Sequence, residues 1–371
     1  MRIGVPTEIK VHEHRVGLTP SSVRELCAHG HEVLVQCGAG AAAGLDDGQY
    51  RAAGATLVDD AQAVFSGAQL IVKVKEPQPQ EVRWLRPGQV LFTYLHLAAD
   101  AALARALLAS GAVAIAYETV TGPGGRLPLL APMSEVAGRM AIQVGASCLE
   151  QPRGGRGVLL GGVPGVPAAQ VVILGAGVVG TNALQAAVGL GARVAILDHD
   201  LDRLRQLDLT FGNRVMTRYA TTQALEDSVA AADLVVGAVL VPGATAPRLV
   251  ARTMVAGMRR GAVIVDVAID QGGCVETSRP TTHAEPTYVV DGVVHYAVTN
   301  MPGAVPRTST FALNHATLAH VLALADQGWR QATLDDPHLR AGLNVVEGRL
   351  AHDALARSLG LSPAQAPAAR R

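Results

Sequence analysis

The chain has 371 residues, enough for two domains of ordinary size. Hydrophobic residues make up 49% and charged ones 17%, which excludes a disordered chain and provides for a large core. Lys+Arg 31 balance Asp+Glu 31, so no basic field is available to attract nucleic acid. Cys27, Cys37, Cys148 and Cys274 form no CxxC pair and lack metal-ligand spacing. They read as reduced thiols of a cytoplasmic protein. The opening residues run straight into strand-like sequence and show no signal-peptide pattern. Residues 157–192 carry no charge, but Pro164, Pro167 and many glycines interrupt them. They read as loop, buried strand and packed helix, not as a membrane span.

The first 120 residues alternate short apolar runs with helical patterns. Strands are predicted at Arg2–Val5, Glu32–Gln36, Leu70–Val74, Val90–Tyr94 and Val113–Tyr117. Helices are predicted at Ser21–His29, capped by Thr19 with Pro20 at the first helical position, at Asp60–Ser66 and at Asp100–Ala109. Ser134 is read as the cap of a helix reaching about Glu150, followed by a Gly/Pro-rich loop. A second alternating series follows: strand Gln170–Leu174, helix Val178–Gly189, strand Arg193–Leu197, helix Leu201–Leu209, strand Val215–Tyr219 and helix Thr222–Ala231. Strands at Leu234–Ala238 and Ala262–Ala268 complete it. Tyr288–Val290 and Val293–Tyr296, joined by Asp291-Gly292, read as a hairpin. A long amphipathic helix is expected from Thr308 to about Asp326, then a helical tail that frays. Two βαβ series imply an α/β chain with two doubly wound, Rossmann-like parallel sheets.

Gly175-Ala176-Gly177-Val178-Val179-Gly180 is the strongest local signal. It follows a buried strand and opens a helix, and a second strand ends at Asp198. This is the context of a dinucleotide fingerprint, with the pyrophosphate at the helix N-terminus and Asp198 accepting from the adenosine ribose. A 2′-phosphate would meet Asp198 and Asp200, so NAD is expected over NADP, although Arg203 works the other way. Lys73 and Lys75 stand two apart at a predicted strand end, on one face by period two. Lys75 can fix a carboxylate or polarise a carbonyl there; alternatively both lysines protect an edge or face solvent. His96 at a strand end suits proton transfer, and structural histidine is the other reading. Asp270 stands at the mouth of a strand, whereas Asp266, deeper in it, reads as a structural carboxylate. Arg15 offers a fork for a carboxylate, or is one surface arginine among many. No histidine pattern suggests a metal.

Taken together, these residues resemble the alanine dehydrogenase family, NAD-dependent enzymes that interconvert L-alanine with pyruvate and ammonium. The resemblance is carried by Met1–Glu8 with Arg15-Val16 and Thr19-Pro20, by Val74-Lys75-Glu76-Pro77 and by Leu95-His96-Leu97-Ala98. Met133–Gly138, Gly161–Val166, Gly237–Gly243, Asp266–Gly273 and Asn300-Met301-Pro302 extend it in order to about residue 350. It implies a substrate domain over 1–128 and 304–371, with an inserted NAD domain over 129–303. It also implies a cytoplasmic homohexamer acting on small molecules, with no nucleic-acid or membrane partner. Arg15 and Lys75 become substrate contacts, and His96 and Asp270 the acid/base pair. Cofactor contacts become Ser134, Gly175, Gly177, Val178, Val179, Gly180, Asp198, Arg203, Val239, Leu240, Val267, Ala268, Ile269, Asp270, Arg279, Val298, Thr299, Asn300 and Met301. Ala220 departs from a family serine, and His12 and Gly17 from the usual asparagine and alanine. The alternative within this resemblance is the NAD-binding soluble subunit of a proton-translocating transhydrogenase.

Overall fold

The structure is a computed structural model that describes residues 1–239 and 245–360. The chain divides into two units, Met1–Met133 with the residues from Val305 onward, and Ser134–Ala304.

The first unit carries strands β1 (Arg2–Val5), β2 (Glu32–Gln36), β3 (Thr56–Val58), β4 (Leu70–Val72), β5 (Val90–Thr93) and β6 (Val113–Ala116). The second carries β7 (Gln170–Leu174), β8 (Arg193–Asp198), β9 (Val215–Tyr219), β10 (Leu234–Gly237), β11 (Val263–Asp266), β12 (Thr287–Val290) and β13 (Val293–Tyr296). Strands β14 (Leu343–Val346) and β15 (Arg349–Leu350) return to the first unit.

In the first sheet the parallel strands run β6-β5-β4-β1-β2-β3, with β14 added antiparallel beside β6 and β15 paired antiparallel to β14. In the second they run β13-β11-β10-β7-β8-β9, with β12 antiparallel on the edge. Both sheets therefore reverse direction of growth once, between β1 and β4 and between β7 and β10. Ligands gather outside the carboxyl ends of strands at such switch points.

The central strands are buried on both faces, as parallel sheets require. Alternation sorts their side chains. Val72, Phe92 and Ile115 join one core with Leu313, Val321 and Leu324 of the helical stretch Pro306–Asp335. Ile71, Leu91 and Ala114 join another with Val64, Phe65, Leu103 and Leu107. In the second unit Val172, Leu197, Val235 and Ile264 pack with Leu225, Val229 and Val255.

Local chemistry sets most boundaries. Thr19 Oγ1 accepts from Ser22 N at 3.3 Å and starts helix Pro20–Ala28. Asp60 and Asp100 cap Ala61–Gly67 and Ala101–Ser110 in the same way. Several expectations are corrected. Strand β4 ends at Val72, because Glu8 Oε1 takes the Val74 N–H at 2.6 Å. Ser134 is not a cap: its helix, Ala131–Cys148, begins three residues earlier, with Pro132 preorganising the first turn. The helix expected from Thr308 to about Asp326 is present as the first segment of Pro306–Asp335, which continues beyond the non-helical Gly328, φ 77°, as a second segment. The tail expected to be helical forms the short helices Pro337–Arg340 and Asp353–Ser358 but between them supplies β14 and β15, turned by Glu347 and Gly348 at positive φ. Helix Asp47–Ala52 and strand β3 were not anticipated. Residues 361–371 lie outside the described residues.

Candidate active site

In the first unit, Arg15 follows β1, Lys75 follows β4 and His96 follows β5. These are the carboxyl ends of adjacent strands around the switch point. Gly17 lets the loop after β1 lie on the end of β4, since a Cβ there would meet Val72 O at 2.3 Å. Arg15 is buried. Its Nε and Nη2 donate to Glu13 Oε1 and Oε2 at 2.7 and 2.6 Å, and Nη1 faces Met133 Sδ at 2.9 Å. Burial opposes the guanidinium charge, but the Glu13 hydrogen bonds and charge outweigh it and hold the pKa above its usual value.

Lys73 and Lys75 have parted roles. The Lys73 side chain is wholly buried, and its Nζ reaches Glu8 Oε2 at 3.2 Å and Glu81 Oε1 at 2.7 Å. Burial disfavours this ammonium, yet the two carboxylates outweigh burial and raise its pKa. It is neither a solvated lysine nor an edge guard. Lys75 is half-buried, and its backbone N–H points to Glu8 Oε1 at 3.4 Å. The Glu76 carboxyl beside it is half-buried, which raises its pKa, but the Lys10 hydrogen bond and the Lys75 charge hold it below the ordinary value.

His96 is exposed and has φ 50°, ψ 35°. Glu118 Oε1 accepts from its backbone N–H at 2.6 Å, and its ring stacks on Tyr94 at 5.8 Å with 5° between planes. The Tyr94 hydroxyl donates to Leu129 O at 2.5 Å, and burial raises its pKa. Sequence reasoning missed Glu8, Glu13, Tyr94, Glu118 and Met133 as neighbours of the candidate residues. Two left a trace: Glu13 stands two positions before Arg15, and Glu118 just beyond a strand end.

In the second unit, the turn after β7 assigns each glycine a task. Gly175 has φ 100°; a Cβ on Gly180 would lie 1.8 Å from Gly175 O; nothing lies within 4 Å of a Cβ on Gly177. Gly177 precedes helix Val178–Gly189 and supplies no side-chain cap, so the helix presents its first N–H groups and positive dipole end. Val178 is exposed and Val179 buried. Val239, after β10, borders the turn: its Cγ1 would be 3.0 Å from a Cβ on Gly175. Asp198 ends β8, and its Oδ2 and Oδ1 accept from Ala176 N at 2.6 Å and Asp200 N at 2.9 Å. Asp200 caps helix Leu201–Phe211 by accepting from Arg203 N. Open space at Gly177, an uncapped helix end and a strand-end carboxylate suit a dinucleotide.

Val267, Ala268, Ile269 and Asp270 form a 3₁₀ turn after β11. Asp270 is exposed, and its Oδ1 accepts from Asn300 N at 3.4 Å. Asn300 has φ 59° and follows Val298 and Thr299 beyond β13, while Met301 is buried. The Arg279 guanidinium lies 4.2 Å over the Tyr288 ring. Asp266 is buried and accepts from Cys274 N and Val275 N, a structural carboxylate as expected. Ser134 lies in the first turn of its helix, and Leu240 lies outside the described residues. Arg15, Lys75 and His96 thus share the first unit; Asp270 and the glycine turn share the second.

Two family models match: alanine dehydrogenase/PNT, N-terminal domain, over residues 4–137, and alanine dehydrogenase/PNT, C-terminal domain, over 141–353. A protein named alanine dehydrogenase from Halomonas elongata is 59% identical over 366 residues, 99% of each chain. A solved structure titled L-alanine dehydrogenase is 55% identical with a TM-score of 0.94, covering 97% of this chain and 99% of that one. A transhydrogenase from Sinorhizobium meliloti, 24% identical over 95% of this chain and all of its own, has a TM-score of 0.82 and shares the fold. The chain belongs to the alanine dehydrogenase/PNT family.

Proposed function

We propose that this chain is an NAD-dependent L-alanine dehydrogenase, an oxidoreductase acting on the CH–NH2 group that reversibly converts L-alanine to pyruvate and ammonium. The observation that carries the reading is relatedness along the whole chain to proteins of that name. The strand-end placement of the residues below supports it.

The first unit binds the amino acid and the second the dinucleotide. Arg15 Nη1 and the Lys75 ammonium hold the alanine carboxylate, and Lys75 polarises the carbonyl of pyruvate in reverse. Glu13 keeps the Arg15 fork in one orientation by gripping its other edge. The Gly175–Gly180 turn and Val178 take the pyrophosphate, and Asp198 accepts from the ribose. Ser134, Val179, Arg203, Val239, Leu240, Val267 to Asp270, Arg279 and Val298 to Met301 complete the cofactor contacts. Bound NAD supplies the carbon that accepts a hydride. His96 takes the proton of the alanine ammonium, so that the hydride leaves from a carbon bearing a neutral amine. Water adds to the resulting imine, and Asp270 assists the proton transfers that release ammonia. Positioning of the α-carbon accounts for much of the rate, by analogy with about 7–11 kcal/mol in ideal intramolecular cases.

The proposal extends to a cytoplasmic homohexamer. Four free cysteines fit a reducing compartment, and among the described residues no helix is long and apolar enough to cross a membrane. Sedimentation should give six times the chain mass; a monomer contradicts the hexamer. The activity is tested by following NADH oxidation with pyruvate and ammonium, each omitted in turn. Turnover should require both. Hydride exchange between nucleotides without deamination would favour a transhydrogenase component instead.

A further inference from the structure

We propose that Glu118 is the positioning residue of His96, fixing the turn that carries the imidazole and setting its affinity for a proton. The inference rests on the reading of His96 as the proton-transfer group.

Beyond β5 the chain turns through Tyr94 and Leu95, and His96 adopts φ 50°, a left-handed conformation costly for a residue with a side chain. Such a conformation persists only where its surroundings impose it. Glu118 does so. It stands directly after β6, in the 3₁₀ turn Tyr117–Thr119, and β6 pairs with β5 up to Thr93 opposite Ala116. Its Oε1 accepts from Leu95 N at 3.1 Å and His96 N at 2.6 Å, and Oε2 lies 3.2 Å from Leu95 N. The same Oε1 is 4.0 Å from His96 Nδ1. One carboxylate therefore holds the backbone that aims the ring and places a negative charge beside one ring nitrogen. A negative charge at that distance favours a positive charge on the ring, and Nδ1 is the ring nitrogen nearer the carboxylate.

Tyr94 stacks on the ring and feels both Glu118 and Arg15. His352, the cap of helix Asp353–Ser358, also feels Glu118, along with its own neighbours Asp353 and Arg357.

The two effects of Glu118 are separable, because both short backbone bonds converge on Oε1. Glu118→Gln can retain them while removing the charge; Glu118→Ala removes both. The experiment is the pH profile of kcat/KM for alanine oxidation in the holoenzyme, with melting temperature and NADH binding as folding controls. Glu118→Gln should leave KM within about twofold and move the acidic limb down by about one pH unit, the lower end of shifts from an adjacent charge. Glu118→Ala should also lower kcat at the plateau by about tenfold or more, as the imidazole loses its orientation. His352→Gln should leave the limb in place. A Glu118→Gln profile that superimposes on the parent, or a limb that moves with His352→Gln instead, overturns the proposal. His96→Ala separates the two readings. If it is inactive while Glu118→Gln is unshifted, only the positioning role fails. If it turns over normally, the reading of His96 fails and the role of Glu118 with it.

Discussion

Lys73 shows how a residue near a catalytic candidate can serve the fold instead. Its ammonium is buried between Glu8 and Glu81, and Glu8 in turn takes the Val74 and Lys75 N–H groups. Lys73→Met would strand two buried carboxylates. Breaking a buried ion pair on one side costs about 3–5 kcal/mol, so the urea midpoint should drop by that equivalent. A loss under about 1 kcal/mol would mean the carboxylates find other partners. Asp198, proposed above to accept from the ribose, also serves the fold, because it receives the Ala176 and Asp200 N–H groups. Asp198→Gly should therefore weaken NAD binding and relax the preference for NAD over NADP together, whereas Asp198→Asn keeps one acceptor oxygen and loses less affinity. Dissociation constants for the two nucleotides decide it; unchanged selectivity in both variants would place discrimination elsewhere. Lys75, His96 and Asp270 could be picked out as candidates from residue type and position at predicted strand ends and Arg15 from its loop, though only the family resemblance gave them roles. Their carboxylate neighbours could not, because Glu8 and Glu118 reach them from sites 67 and 22 residues away in sequence.

At the scale of elements, the segments that follow strands carry Arg15, Lys75, His96 and Asp270, and turns there are built by close backbone approach. Gly180 is the sharpest case, with no room for a methyl group against Gly175 O. Gly180→Ala should push helix Val178–Gly189 away from β7, raise the dissociation constant for NADH at least about tenfold and lower the melting temperature. Unaltered NADH titrations would show that the turn relaxes at no cost. Periodicity made most elements legible: β1, β2, β7 and β9 and helices Val178–Gly189 and Thr222–Ala231 fall where alternation and helical spacing put them. The misses share a cause in long-range structure. Strand β14 exists by pairing with β6, more than two hundred residues earlier, and no local signal announces it. The early end of β4 is imposed by a carboxylate from the loop after β1.

At the scale of the whole molecule, partial burial lowers the pKa of His320 and His352 in the first unit, and burial that of His295 in the second. His295 shows the device: its Nδ1–H donates to Val293 O at 3.0 Å, and Nε2 lies 2.8 Å from Thr277 Oγ1. Each pKa is lowered from 6.5, so the unfolded chain binds these protons first as the pH falls. Their stabilising effect is complete above 6.5 and is lost as pH drops through the lower folded values. Urea midpoints should therefore fall between about pH 7 and about pH 5, and a flat profile would contradict the buried neutral state. The repeated βαβ pattern made the two-sheet plan readable, because each sheet is assembled mostly from neighbours in sequence; the return of the C-terminal residues to the first domain came only from the family resemblance, and as helices, without the strands they add to its sheet. The central claim is hydride transfer from the α-carbon of alanine, and oxidation of L-alanine deuterated at that carbon tests it most directly. One deuterium should appear at C4 of each NADH formed, with pyruvate and ammonium in equal amounts; NADH without deuterium, or no NADH at all, would contradict the account.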